Sequence, residues 1–107
     1  MDSTTYSGVM LVTTTPKPGV GEAEFNAWYD NIHVTEIREQ VPGIEGVERF
    51  RTDAGEGQAP RYLTVYRISR PAPAILADIR AADLSDAAPM LDMVGNPPVI
   101  TSFDALG

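Results

Sequence analysis

A chain of 107 residues with no cysteine and a net charge of −7 is bounded before any motif is read. The length allows one domain; the missing thiols exclude disulfides, thiolate metal sites and cysteine nucleophiles; and the acidity has the wrong sign for gripping a phosphate backbone. Hydrophobic residues make up 43% of the chain, a globular composition, and no apolar run reaches the roughly 20 residues of a membrane span.

Residues 1–6 lack the charged and apolar regions of a leader, so a flexible N-terminus, a single domain over 7–107 and a cytoplasmic location are expected. Ser7 to Thr15 is short and β-branched and ends at Pro16-Lys17-Pro18-Gly19, which predicts a strand and a turn. Glu22 to Gln40 carries a helical period, with Gly21 at its start and two acids, Glu22 and Glu24, at the positive end of the dipole. Val41-Pro42-Gly43 closes it, because the residue before proline avoids helix. Ile44 to Thr52 is a second strand, Asp53 to Gln58 a hairpin loop, and Arg61 to Ser69 a third strand. Pro71 to about Leu84 predicts a second helix, and Ser85 to Val94 is expected to add a further helical turn or two. Val99 to Phe103 is the last strand.

The order βαββαβ predicts an α+β, ferredoxin-like fold: a four-stranded antiparallel sheet with helices on one face. Two helices cover only that face, yet the strands are apolar on both. Val9, Met10, Leu11 and Val12 run consecutively, and in the third strand both Tyr62/Tyr66/Ile68 and Leu63/Val65 are largely apolar. A strand of that kind is buried on both sides, and a second copy of the sheet is the simplest cover, so a homodimer is expected.

The chemistry concentrates on the first helix. At about 100° per residue, Phe25, Tyr29, Ile32 and Glu36 share a stripe, with Trp28 and His33 on its flanks. His33, the only histidine, is the natural proton-transfer group, and Tyr29 is its neighbour one turn earlier. Glu36 has two readings: it pairs with Arg49 or Arg61 or reaches water, or it is a second acid/base group or the partner that orients His33. Phe25 and Trp28 read as core or as aromatic walls, and Met90 and Met93 as packing or an adaptable cavity wall. One histidine with scattered carboxylates matches no metal-ligand spacing, and no dinucleotide, P-loop or nucleophile-elbow motif occurs. Neither a metal nor a cofactor is expected.

Phe25-x-x-Trp28-Tyr29-Asp30-x-x-His33, then Val41-Pro42-Gly43, Arg49-Phe50 and Arg61-Tyr62-Leu63-x-x-Tyr66, resembles the EthD-like branch of the dimeric α+β barrel superfamily over about residues 7 to 70. The resemblance implies ferredoxin-like homodimers with a small-molecule cavity between helices and sheet. It also implies that His33 is the motif histidine and that Trp28 and Tyr29 are the aromatic pair beside it. The superfamily spans polyketide cyclases and dehydratases, lactone isomerases, cofactor-free monooxygenases and haem-degrading enzymes. Haem-using branches place a histidine in the second half of the chain, where this sequence has none.

The reading that follows is a cofactor-independent enzyme acting on a hydrophobic, aromatic or polyketide-like small molecule by cyclisation, dehydration or isomerisation. His33 is the expected base. Tyr29, Tyr62 or Tyr66 donates to the developing enolate, and Arg49 or Arg61 holds a carboxylate or enolate. Phe25, Trp28, Ile32, Met90 and Met93 form walls. A cofactor-free monooxygenase of a phenol and a non-catalytic binder of a pathway intermediate are the alternatives. No nucleic acid or membrane partner is expected.

Overall fold

The structure, a computed structural model, describes residues 7–52, 55, 57 and 60–106. The expected flexible stretch 1–6 and most of the hairpin loop Asp53–Gln58 lie outside the described residues. In chain order come β1 (Gly8–Thr14), α1 (Glu22–Trp28), a five-residue π-turn (Tyr29–His33), α2 (Val34–Gln40), β2 (Ile44–Arg51), β3 (Tyr62–Ile68), α3 (Ala72–Ala81) and β4 (Val99–Asp104). The strands form one antiparallel sheet in the order β2-β3-β1-β4. This is the ferredoxin-like α+β fold that the element order predicts. No helix among the described residues is long and apolar enough to cross a membrane.

The strand alternation assigns the faces. Met10, Val12 and Thr14 of β1 stand opposite Tyr66, Thr64 and Tyr62 of β3, and this row faces the helices. Met10, Tyr66 and Ile68 pack there against Ile37, Val41, Ala72 and Ile75. A second cluster, Phe25, Tyr29, Tyr62 and Leu91, lies beneath α1. On the other face Leu63 stands opposite Phe50 and Thr13 opposite Val99. Phe50, Val99 and Phe103 there remain more than half exposed, at 52%, 55% and 55%.

The turn after α2 needs its glycine. Gly43 has φ +95, a conformation that a side chain resists, and a Cβ there would meet the Arg70 side chain at 2.8 Å. Arg70 Nη1 in turn donates to the Pro42 carbonyl at 2.8 Å, so the Val41-Pro42-Gly43 stop is tied to the start of α3.

Two expectations are corrected. Helix does not run unbroken from Glu22 to Gln40, because the π-turn interrupts it. Ser85 to Val94 adds only a single turn, in which Met90 and Leu91 N–H both donate to the Ala87 carbonyl at 2.9 Å; otherwise the chain after Ala81 is an irregular strap. Gln40 Nε2 donates to the Asp83 carbonyl and Asp83 N–H donates to Gln40 Oε1, both at 2.8 Å. Ser85 donates N–H and O–H to the Glu36 carboxylate at 2.9 and 2.8 Å. At its far end Leu91 pairs with Pro16 beyond β1. Side chains of α2 thus supply the partners a helix would have found within itself.

Candidate functional site

Between helices and sheet lies a cavity of about 170 Å³ lined by Met10, Val12, Thr14, Tyr29, His33, Ile37, Tyr66, Leu76, Ile79, Leu91, Pro98 and Ile100. Every lining side chain except Thr14, the two tyrosines and His33 is apolar. Thr14 Oγ1, Tyr29 Oη and His33 Nδ1 are buried without a hydrogen-bond partner among the described residues. Polar atoms left unsatisfied in an apolar hollow are costly.

The π-turn is what brings His33 here. Val34 N–H donates to the Tyr29 carbonyl five residues back, which puts one extra residue into the turn. In an uninterrupted α-helix each four-residue step overshoots a full turn by about 40°. The wider turn absorbs that drift, and the sheet-facing positions become Phe25, Tyr29, His33, Ile37 and Val41, four apart throughout. Ile32, expected in the inward stripe, is 41% exposed. Glu36 turns away toward Ser85 and pairs with neither Arg49 nor Arg61. The bonds from Ser85 hold its carboxyl below the ordinary range, so it anchors the strap as a carboxylate.

The imidazole is held by rings on two sides. It stacks on Trp28 with centroids 5.0 Å apart and meets Tyr29 edge-on at 4.9 Å. Burial pushes its pKa down, Glu36 opposes that, and Arg49 adds to it. Tyr66, on the facing strand, is raised by burial and then by the adjacent Tyr29 phenol. An imidazole neutral near pH 7 has a lone pair to accept a proton, and the Tyr66 phenol, kept protonated in the lining of the same cavity, has one to donate.

The structure therefore groups Tyr29, His33 and Tyr66 and separates the remaining candidates. Phe25 and Trp28 pack behind the polar pair and do not line the cavity. Tyr62, on the same strand face as Tyr66, sits four residues along, against Phe25 at 5.0 Å, and donates to Glu22. Arg49 forms an ion pair with Asp30 at 2.9 Å. Arg61 lines a separate hollow with Thr13, Thr15 and Asn96. Neither arginine lines the His33 cavity. Met90 also lies outside it, and Met93 is 51% exposed on the surface; Met10 and Leu91 fill the expected place. The wall residues of β1 that sequence reasoning missed, Met10, Val12 and Thr14, carry the period-2 signal of a strand face. Among the described residues no group of three or more metal-ligating side chains occurs.

No protein-family model matches this chain, and no curated protein sequence matches it. Among solved structures, a Bacillus cereus protein provisionally named an antibiotic biosynthesis monooxygenase is similar over 95% of this chain and 95% of its own. The identity is 12% and the TM-score 0.48.

The direction of the His33 shift has a stability consequence. Above its ordinary value of 6.5 the imidazole is neutral in both folded and unfolded chains and contributes nothing. As pH falls through that value the unfolded chain takes the proton first and the folded chain resists it, so stability drops until the lower folded value is passed. The urea midpoint is expected to fall from about pH 7.5 to about pH 5.5 and to fall less in His33→Gln; equal falls would contradict the buried, neutral imidazole.

Proposed function

We propose that this protein is a cofactor-independent enzyme that transfers a proton on a small, uncharged ring compound bearing a carbonyl or phenolic oxygen. The observation that carries the reading is the apolar cavity whose unpartnered polar atoms belong to one imidazole, one phenol and one threonine hydroxyl. An engineered cavity of about 150 Å³ holds benzene, so the 170 Å³ here suits one ring with its substituents. With no lysine, arginine or carboxylate among the lining side chains, a neutral guest is preferred over a carboxylate.

In this reading His33 removes a proton next to the carbonyl or from the phenol. The electron pair moves to the guest oxygen, and Tyr29 O–H or Thr14 O–H donates to it as charge develops. Cyclisation, dehydration and isomerisation all begin this way. Oxygenation of a deprotonated phenol shares the first step and differs in consuming oxygen.

The experiment uses acetophenone in deuterated buffer and hydroquinone at an oxygen electrode. Replacing His33 with Gln is expected to lower methyl deuteration, or oxygen uptake, by about 10²–10⁴-fold while binding, followed by Trp28 fluorescence, persists. Equal rates in the two proteins would remove His33 from the chemistry; oxygen uptake with hydroquinone would favour the monooxygenase. Unchanged binding of both compounds with no turnover by the wild type would favour a binder.

The same reading includes a two-fold dimer, supported by the exposed apolar face of Phe50, Val99 and Phe103 and by the half-buried Leu11, Leu63 and Val65 between them. Contiguous exposed apolar patches mark interaction surfaces. Sedimentation at micromolar concentration is expected to give a dimer that Phe103→Glu dissociates; a wild-type monomer would contradict it.

A further inference from the structure

Arg49 is the most deeply set charge near the site. It projects from β2 at the position opposite Thr64, and its side chain is only 13% exposed. Nη1 meets Asp30 Oδ1 at 2.9 Å, but Asp30 is itself 58% exposed. Nε and Nη2 are buried and meet no acceptor among the described residues. They lie instead among rings. The guanidinium carbon is 4.2 Å from the centroid of Tyr29, 5.4 Å from that of Tyr62 and 5.7 Å from that of Phe25. A strand arginine with an exposed carboxylate in reach gains little by sinking this far. Contact with the ring faces offsets part of the desolvation, but the three N–H groups of Nε and Nη2 still forgo water.

The placement gives those losses a purpose. Tyr29 lines the cavity and Arg49 does not, so the cation acts on the cavity through the phenol ring it is seated on. We propose that Arg49 is a positioning residue: its flat guanidinium, 4.2 Å from the centroid of the Tyr29 ring, fixes the phenol that meets His33 edge-on at 4.9 Å and so sets a fixed positive charge one ring away from the imidazole. Its purpose rests on the proton-transfer reading above, since a base has to be neutral before it can accept. The electrostatic part is measurable with no substrate present.

Few charges compete with it. Around His33, α2 contributes Glu36, β2 contributes Arg49 with its partner Asp30 at the start of the π-turn, β3 contributes the Tyr66 phenol, and the π-turn itself contributes Tyr29. The faces turned to the cavity by β1, α3, β4 and the strap carry no charge. Glu36 and Arg49 thus act on the imidazole in opposite directions, Glu36 raising its pKa and Arg49 lowering it.

The chain has one histidine, so an imidazole 13C label in the full-length protein gives one titration curve. Arg49→Met keeps length and apolar contact with the rings and removes the charge; it is expected to move the His33 midpoint to higher pH. Arg49→Lys, which keeps the charge, is expected to stay near the wild type, and Glu36→Gln to move the midpoint to lower pH. A folded Arg49→Met protein whose midpoint is unmoved or lower would overturn the proposal. Should that variant fail to fold, Asp30→Asn takes its place: stripping the counter-charge from Arg49 is expected to lower the midpoint, and an unmoved midpoint would overturn the proposal equally. Loss of turnover in His33→Gln bears on the proton-transfer reading and leaves these titrations untouched, so the two fail separately.

Discussion

One backbone hydrogen bond, from Val34 N–H to the Tyr29 carbonyl, governs where the only histidine of this chain lies. Closing the turn over five residues instead of four relinquishes α-helical geometry for one turn, an irregularity found frequently at functional sites. What it gains is phase. Phe25, Tyr29, His33, Ile37 and Val41 all reach the sheet, whereas a regular helix would have carried the imidazole to the flank and Ile32 inward. An apolar side chain was displaced to solvent and a titratable one was brought under the helix layer, the reverse of what burial alone favours. Packing therefore does not account for the π-turn; the composition of the cavity does.

The other elements make that placement tenable. Trp28 and Tyr29 bracket the imidazole, Arg49 backs the phenol, and Glu36, released from the inward stripe by the same change of phase, ties down the strap at Ser85. Gln40, one turn further along α2, ties it again at Asp83. Positions 36 and 40 share a face of the helix, so one surface of α2 holds the segment that brings Leu91 over the cavity. The cavity, its roof and the buried imidazole all depend on the same short stretch of chain.

The fold was legible in the sequence because it rests on strong local signals. Alternation and β-branching mark the strands, and Pro42 and Gly43 mark the end of α2; the observed bounds differ from the expected ones by a residue or so except at the second helix, which ends at Ala81 rather than about Leu84. The site was less legible, for identifiable reasons. A projection at the α-helical angle misplaces Ile32, His33 and Glu36 together, although the four-residue recurrence of Phe25, Tyr29, His33, Ile37 and Val41 was there to be read. Strand alternation put Tyr62 and Tyr66 on one face but could not say which end of that face the cavity occupies. The strap carries polar residues and Pro89, and its partners on α2 lie more than forty residues away in sequence; no local pattern encodes such contacts.

The most direct measurement is the accessibility of two side chains one residue apart. With a soluble paramagnetic agent added to the isotopically labelled protein, strong relaxation of the Ile32 methyl signals and weak relaxation of the His33 ring signals is the expected result, accompanied by nuclear Overhauser contacts from that ring to Trp28 and Tyr29. Shielded Ile32 methyls beside a fully accessible imidazole would mean that the helix is regular, and the account of the cavity would be contradicted at its source.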